Sequence, residues 1–114
     1  MLKKTVYTIR GHQDEYKTEV FVNDKKIKIR NSQKLRNHSS TGFNWGYSGS
    51  GPAQLALALC MHLFLDNAIA LAVYQDFKDK FVKTWPQGED FEVTIDLASF
   101  LEEHADKLKQ LQLS

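Results

Sequence analysis

The chain has 114 residues, 42% of them hydrophobic, with 15 Lys/Arg against 14 Asp/Glu and a formal charge of +1. That length supports one hydrophobic core, so residues 1–114 read as a single domain in which folding hides roughly 65% of the surface an open chain exposes. A lone cysteine (Cys60) excludes an internal disulfide, no apolar leader follows Lys3 and Lys4, and the apolar run over residues 55–65 falls short of the ~18 residues a membrane span needs, so a cytoplasmic protein without a membrane partner is expected.

Residues 4–10 are β-branched and aromatic and read as a strand ending at Gly11. Residues 17–23 and 26–30 flank Asp24-Lys25, which predicts a hairpin turn there. In the second arm Ile27 and Ile29 alternate with Lys26, Lys28 and Arg30, which predicts a sheet with one buried and one basic face. Charge is divided along the chain: residues 1–40 carry ten basic side chains against four acidic ones, and residues 41–114 carry five against ten. Such a split either offers a basic face to an anion or leaves two solvated surfaces that partly neutralise each other.

Residues 31–51 are polar and irregular and hold Gly42, Gly46, Gly49 and Gly51. Pro52 then signals a helix start, and the apolar residues after it cover nearly every side of a helix. A helix of that kind is buried in the centre of its own domain or against a second copy, so a homodimer is one expectation. Asp66-Asn67 interrupts it. A second helix is predicted over residues 68–84, from Ile69, Val73, Phe77 and Phe81 at four-residue steps, and Pro86-Gln87-Gly88 closes it. Phe91, Val93 and Ile95 alternate as a strand, Asp96 is a fitting N-cap, and residues 97–111 repeat at helical spacing. The order is that of an α+β domain: an N-terminal antiparallel sheet, a glycine-rich loop, a central buried helix, a further helix, one more strand and a C-terminal helix.

The loop carries the chemistry. Closely spaced glycines let successive N–H groups turn toward one point, and the helix start adds unpaired N–H groups and partial positive charge, a setting suited to phosphate or carboxylate. The candidate ligand-binding residues are Gly46, Ser48, Gly49, Ser50 and Gly51, with Gln54 in the first helical turn and Trp45 and Tyr47 placed to stack on a base. The competing structural reading makes the small residues a close passage between loop and sheet, and the two aromatics core anchors. Neither a phosphate-loop signature nor a Rossmann fingerprint is present.

The run Gly42–Leu59 (Gly-Phe-Asn-Trp-Gly-Tyr-Ser-Gly-Ser-Gly-Pro-Ala-Gln-Leu-Ala-Leu-Ala-Leu), with Tyr-Gln-Asp-Phe-Lys at 74–78, Arg10-Gly11 and Asn37-His38-Ser39, resembles a domain-of-unknown-function family of small bacterial, phage and plasmid proteins. Ser48 stands where that pattern carries a glycine. The resemblance implies a mobile-element setting and a role in the contest between phage and host defence; it implies no catalytic residues.

His12 and His38 are the candidate general acid and base, and Arg10 and Lys78 further anion contacts. His62 and Asp66 lie four apart on one helix but lack a third ligand, so no metal is expected, and no cofactor. His104 among Glu102, Glu103 and Asp106 reads as a solvated face, and Cys60 as core packing. The functional expectation is a nucleotide-type ligand held at the loop, sequestered or cleaved without metal as a cyclic messenger of antiviral defence would be. The alternative is an anti-defence, anti-CRISPR-like inhibitor that occupies a host defence protein or mimics nucleic acid.

Overall fold

A computed structural model describes residues 5–113, with side chains through Leu111. Four antiparallel strands, β1 (Val6–Gln13), β2 (Thr18–Val22), β3 (Lys25–Lys26) and β4 (Phe91–Asp96), form one sheet in the order β3-β2-β1-β4. The helices are α1 (Arg30–Leu35), α2 (Ser50–Phe64), α3 (Asn67–Lys80), α4 (Ala98–Glu103) and α5 (Ala105–Leu113), with a short 3-10 turn at Val82–Thr84 after α3. The class is α+β, as the element order predicts.

Several boundaries differ from the sequence pattern. β1 runs through Gly11 to Gln13, because Gly11 pairs with both Val20 and Phe91. The hairpin turn is Asn23-Asp24, not Asp24-Lys25; both residues have positive φ (47° and 69°), as a two-residue type I′ turn demands. β3 is only two residues long, since the chain leaves the sheet after Ile27 bonds Val20 and coils into α1, a helix without apolar periodicity. The C-terminal helix is two helices with a break at His104; the N-cap of the first is Leu97 rather than Asp96, which stands one residue before the cap and accepts from the Ala98 amide.

One face of the sheet, with Tyr7, Ile9, Val20, Val22, Phe91 and Ile95, joins the helices in a single core. α2 is central: every residue from Gly51 to Cys60 is buried. The covering that its composition demands comes from the same chain, through the sheet, α1 and α3, so its apolarity no longer argues for a second copy. Cys60 is fully buried and its thiol is pushed up by desolvation, as core packing implies. The other face of the sheet is mixed in charge rather than basic: Arg10 lies opposite Phe21 and Glu92, and Glu19 takes both Lys17 and Lys26. Among the described residues no helix is long and apolar enough to cross a membrane.

Candidate functional site

The glycine loop does two jobs, and most of its members do the structural one. Trp45 is wholly buried; its indole N–H donates to the carbonyls of Pro86 and Glu89 (3.0 Å each), and its ring meets Phe91 edge-on. Base stacking on Trp45 is thereby excluded, because neither ring face meets solvent. Gly46 has φ +86°, its N–H donates to the Val82 carbonyl (3.1 Å), and a Cβ there would lie 2.5 Å from the Gln87 backbone. Its glycine lets the loop pass against the segment after α3. Gln54, expected to reach a ligand, is fully buried with every polar position occupied. Its Oε1 accepts from the His38 and Ser39 amides (2.6 and 2.9 Å), and its NH2 donates to Ser32 Oγ and the Arg36 carbonyl (2.9 and 3.1 Å). It pins the 32–39 segment to α2 and has nothing left for a ligand.

The rest of the loop does form a hollow. Thr18, Ser39, Thr41, Asn44, Tyr47 and Ser50 line a cavity of about 170 Å³ at the start of α2, room for on the order of five or six waters. Gly51 completes the lining, together with Gly42 and Phe43, so no charged side chain borders it. Gly49 is the N-cap and brings no side chain to the helix end, Pro52 has no N–H, and the Ala53 amide already donates to Gly49. The first-turn donors left for a ligand are therefore Ser50 and Gly51. Tyr47 is half-buried and forms a wall: a Cβ at Gly49 would lie 2.6 Å from its ring and one at Gly51 3.3 Å from its hydroxyl. Ser48 is exposed on the loop and does not line the hollow.

The remaining candidates fall into two other places. Strand alternation puts Arg10 and His12 on the sheet face away from α2. Arg10 lies 4.5 Å over the Phe21 ring and 3.6 Å from Asp24. His12 is held between Asp90 (Nδ1, 2.9 Å) and Asp14 (Nε2, 3.1 Å); these bonds raise its pKa, while the aspartates are lowered first by the backbone amides they accept, Tyr16 at Asp14 and Gln13 at Asp90, and then by His12. With both nitrogens donating to carboxylates, His12 is a cationic clasp, a poor general base. His38 sits elsewhere, its Nε2 2.7 Å from the Tyr74 hydroxyl, and its pKa is lowered by burial and by the charges of Arg36 and Lys78. The two histidines share no contact residue, so they form no acid–base pair. Lys78 does not line the hollow; its charge acts on His38 instead.

One further expectation changes. His104 is buried rather than solvated; its ring spans the break between α4 and α5, with Nδ1 2.8 Å from the Phe100 carbonyl and Nε2 2.9 Å from Asp76. Asp66 is the N-cap of α3, accepting from the Ile69 amide (3.0 Å), and is not a partner in a metal pair with His62.

Residues 9–103 match the family of unknown function DUF6166. The chain belongs to that family. The match spans β1 through α4, so the hollow of this DUF6166 protein and the cluster around His38 both lie inside the family's domain. No curated protein and no solved structure matches the chain. Sequence reasoning missed Arg36 and Tyr74 as partners of His38, and Ser39, Thr41 and Asn44 as lining of the hollow. One signal was available: Gln54 is the lone amide in an apolar helix, and a buried amide must be fully bonded.

Proposed function

We propose that this DUF6166 protein binds a phosphate-containing, nucleotide-type ligand with one phosphate group seated in the hollow at the start of α2. The observation that carries the reading is the chemistry of that hollow: hydroxyls, one amide side chain and two helix-start N–H groups without a partner among the described residues, with no carboxylate in the lining to repel an anion. Its size suits a phosphate group and not a nucleoside; cavities that enclose a whole nucleotide-sized ligand run from about 300 Å³ upward. The nucleoside therefore lies outside the hollow, over Tyr47, whose half-exposed ring is the one of the two stacking candidates left once Trp45 is buried.

Binding, and with it sequestration, is the activity this geometry favours over cleavage. Opening a phosphodiester ring without metal needs a base and an acid on either side of one phosphorus. His12 is clasped by two aspartates on the far sheet face, and His38 is bonded to Tyr74. A cyclic nucleotide messenger of antiviral defence is the first ligand class to test, from the mobile-element setting that the loop motif implies. The inhibitor reading has less behind it: of the acidic side chains on the C-terminal helices that it invokes, Glu103 is already paired with Lys80 (2.7 Å).

The test is thermal unfolding with mononucleotides, linear dinucleotides and cyclic oligonucleotides, in the wild type and in Thr41→Val/Ser50→Ala. A ligand present at a hundred times its Kd adds about 2.7 kcal/mol, or on the order of 10 °C in Tm for a domain of this size. The double variant is expected to lose that shift while keeping its ligand-free Tm within a few degrees. No shift with any phosphate compound, or an equal shift in the variant, refutes the reading.

A further inference from the structure

Two side chains able to carry positive charge, His38 and Arg36, meet at one buried hydroxyl, and the charge of a third, Lys78, acts on His38 from the same helix as that hydroxyl. Tyr74 on α3 is buried, and its oxygen lies 2.7 Å from His38 Nε2 and 3.5 Å from Arg36 Nη1. Lys78 follows one helical turn later on the same face of α3. Its side chain is only 14% exposed, and among the described residues its one carboxylate contact is Asp79 at 3.9 Å. Arg36 makes no ion pair among the described residues. His38 is faced by Arg36 from the segment after α1, by Tyr74 and Lys78 from α3, and by the neutral Gln54 from α2.

Like charges gathered in this way repel each other, and those that are covered, as Lys78 is, also lose hydration, a cost that proteins ordinarily offset with carboxylates. Among the described residues no carboxylate is within hydrogen-bond distance of the three. Burial and the two neighbouring cations lower the His38 pKa and so favour the neutral ring; in that ring, Nε2 accepts the Tyr74 O–H, the Tyr74 oxygen accepts from Arg36, and Nδ1 carries the proton. Nδ1 has no partner among the described residues. We propose that Arg36 and His38, meeting at the Tyr74 hydroxyl, and Lys78, one helical turn along α3, form an oxyanion site for a phosphate-type group, and that His38 takes a proton from solvent when the site fills. The incoming negative charge offsets the repulsion that disfavours imidazolium, so occupancy and protonation reinforce each other. None of these residues lines the hollow at the start of α2, and the inference does not rest on that reading.

The experiment follows the His38 ring resonances by NMR across pH, in chloride and in sulfate at equal ionic strength. Sulfate is the probe because it does not titrate in this range. In sulfate the His38 midpoint is expected to rise by about half a unit or more. Arg36→Gln and Lys78→Gln each weaken the sulfate-dependent shift about fivefold or more, whereas Lys83→Gln, which removes the same charge from an exposed site, leaves it within about twofold. Lys78→Gln also raises the midpoint in chloride by removing a repelling charge, an effect that simple loosening of the fold does not produce selectively. Arg36 is exposed, so its variant keeps the test available if Lys78→Gln folds poorly. An unchanged midpoint in sulfate, or equal weakening by Lys83→Gln, overturns the site. An equal response to acetate overturns its assignment to phosphate-type groups. Ser50→Ala is expected to change none of these values, so failure of the hollow and failure of this cluster are read separately.

Discussion

Gln54 Oε1 accepts the backbone amide of His38 at 2.6 Å, deep inside the protein. The bond joins α2 to the segment that carries His38 and Ser39, the two residues that lead respectively to the cationic cluster and to the hollow. Gln54→Leu keeps the volume but leaves two amides, the Ser32 hydroxyl and the Arg36 carbonyl without this partner. Each buried group left unmatched costs about 1–3 kcal/mol, less whatever water recovers. The expected loss is about 3 kcal/mol in urea unfolding, with the His38–Tyr74 pair disturbed. A loss under about 1 kcal/mol contradicts the pinning role.

The His12 clasp makes stability depend on pH in a definite direction. His12 is raised above its ordinary 6.5, and Asp14 and Asp90 are lowered below 3.8. A raised histidine contributes stability that is fully present below 6.5 and is lost as pH rises through its folded pKa. The lowered aspartates contribute above 3.8 and lose it as pH falls through their own folded values. The clasp is therefore at full strength between those limits. His38 and His62 are both lowered and act oppositely, costing stability as pH falls below 6.5. Comparing the wild type with His12→Gln isolates the clasp: the wild type's advantage in urea midpoint is expected to be larger near pH 5.5 than near pH 8.5. An advantage independent of pH contradicts it.

Gly46 is required by its conformation and by its neighbour. Gly46→Ala places a Cβ at φ +86° and 2.5 Å from the Gln87 backbone, which cannot rotate away. The expected cost is about 2–4 kcal/mol, from left-handed strain plus displacement of the 86–87 segment. Unchanged stability contradicts the close passage.

Trp45 serves as an anchor, and its fluorescence reports that. Acrylamide quenching of the Trp85→Phe variant, which leaves Trp45 as the only indole, is expected to be weak, and nucleotides are expected not to quench it by stacking. Trp45→Phe removes the donor to two carbonyls and some ring volume, and is expected to cost about 2–4 kcal/mol. Strong quenching by a nucleotide restores Trp45 as a stacking residue.

What the sequence makes legible is what local pattern controls. The all-round apolarity after Pro52 places α2 at the centre, and the alternation of Phe91, Val93 and Ile95 places β4. Helix α1 is illegible because Arg30–Leu35 buries only Ser32 and has no apolar stripe. Aromatic residues among serines and glycines suggest exposure, but Trp45 finds its acceptors in Pro86 and Glu89, some forty residues away. The cluster of Arg36, His38, Tyr74 and Lys78 is hidden for the same reason: its halves lie on two segments joined only when α3 packs beside α2. Four-residue spacing alone connects Tyr74 with Lys78; nothing local connects them with His38.

The seat for a phosphate group at the start of α2 is tested most directly by crystals of the protein grown in chloride and then soaked in a phosphomonoester. The account predicts density for the phosphoryl group in the hollow, with oxygens at hydrogen-bond distance from the Ser50 and Gly51 amides and from the Thr41 or Ser50 hydroxyl. A hollow that holds only water after soaking, or one closed by the Tyr47 ring, contradicts it.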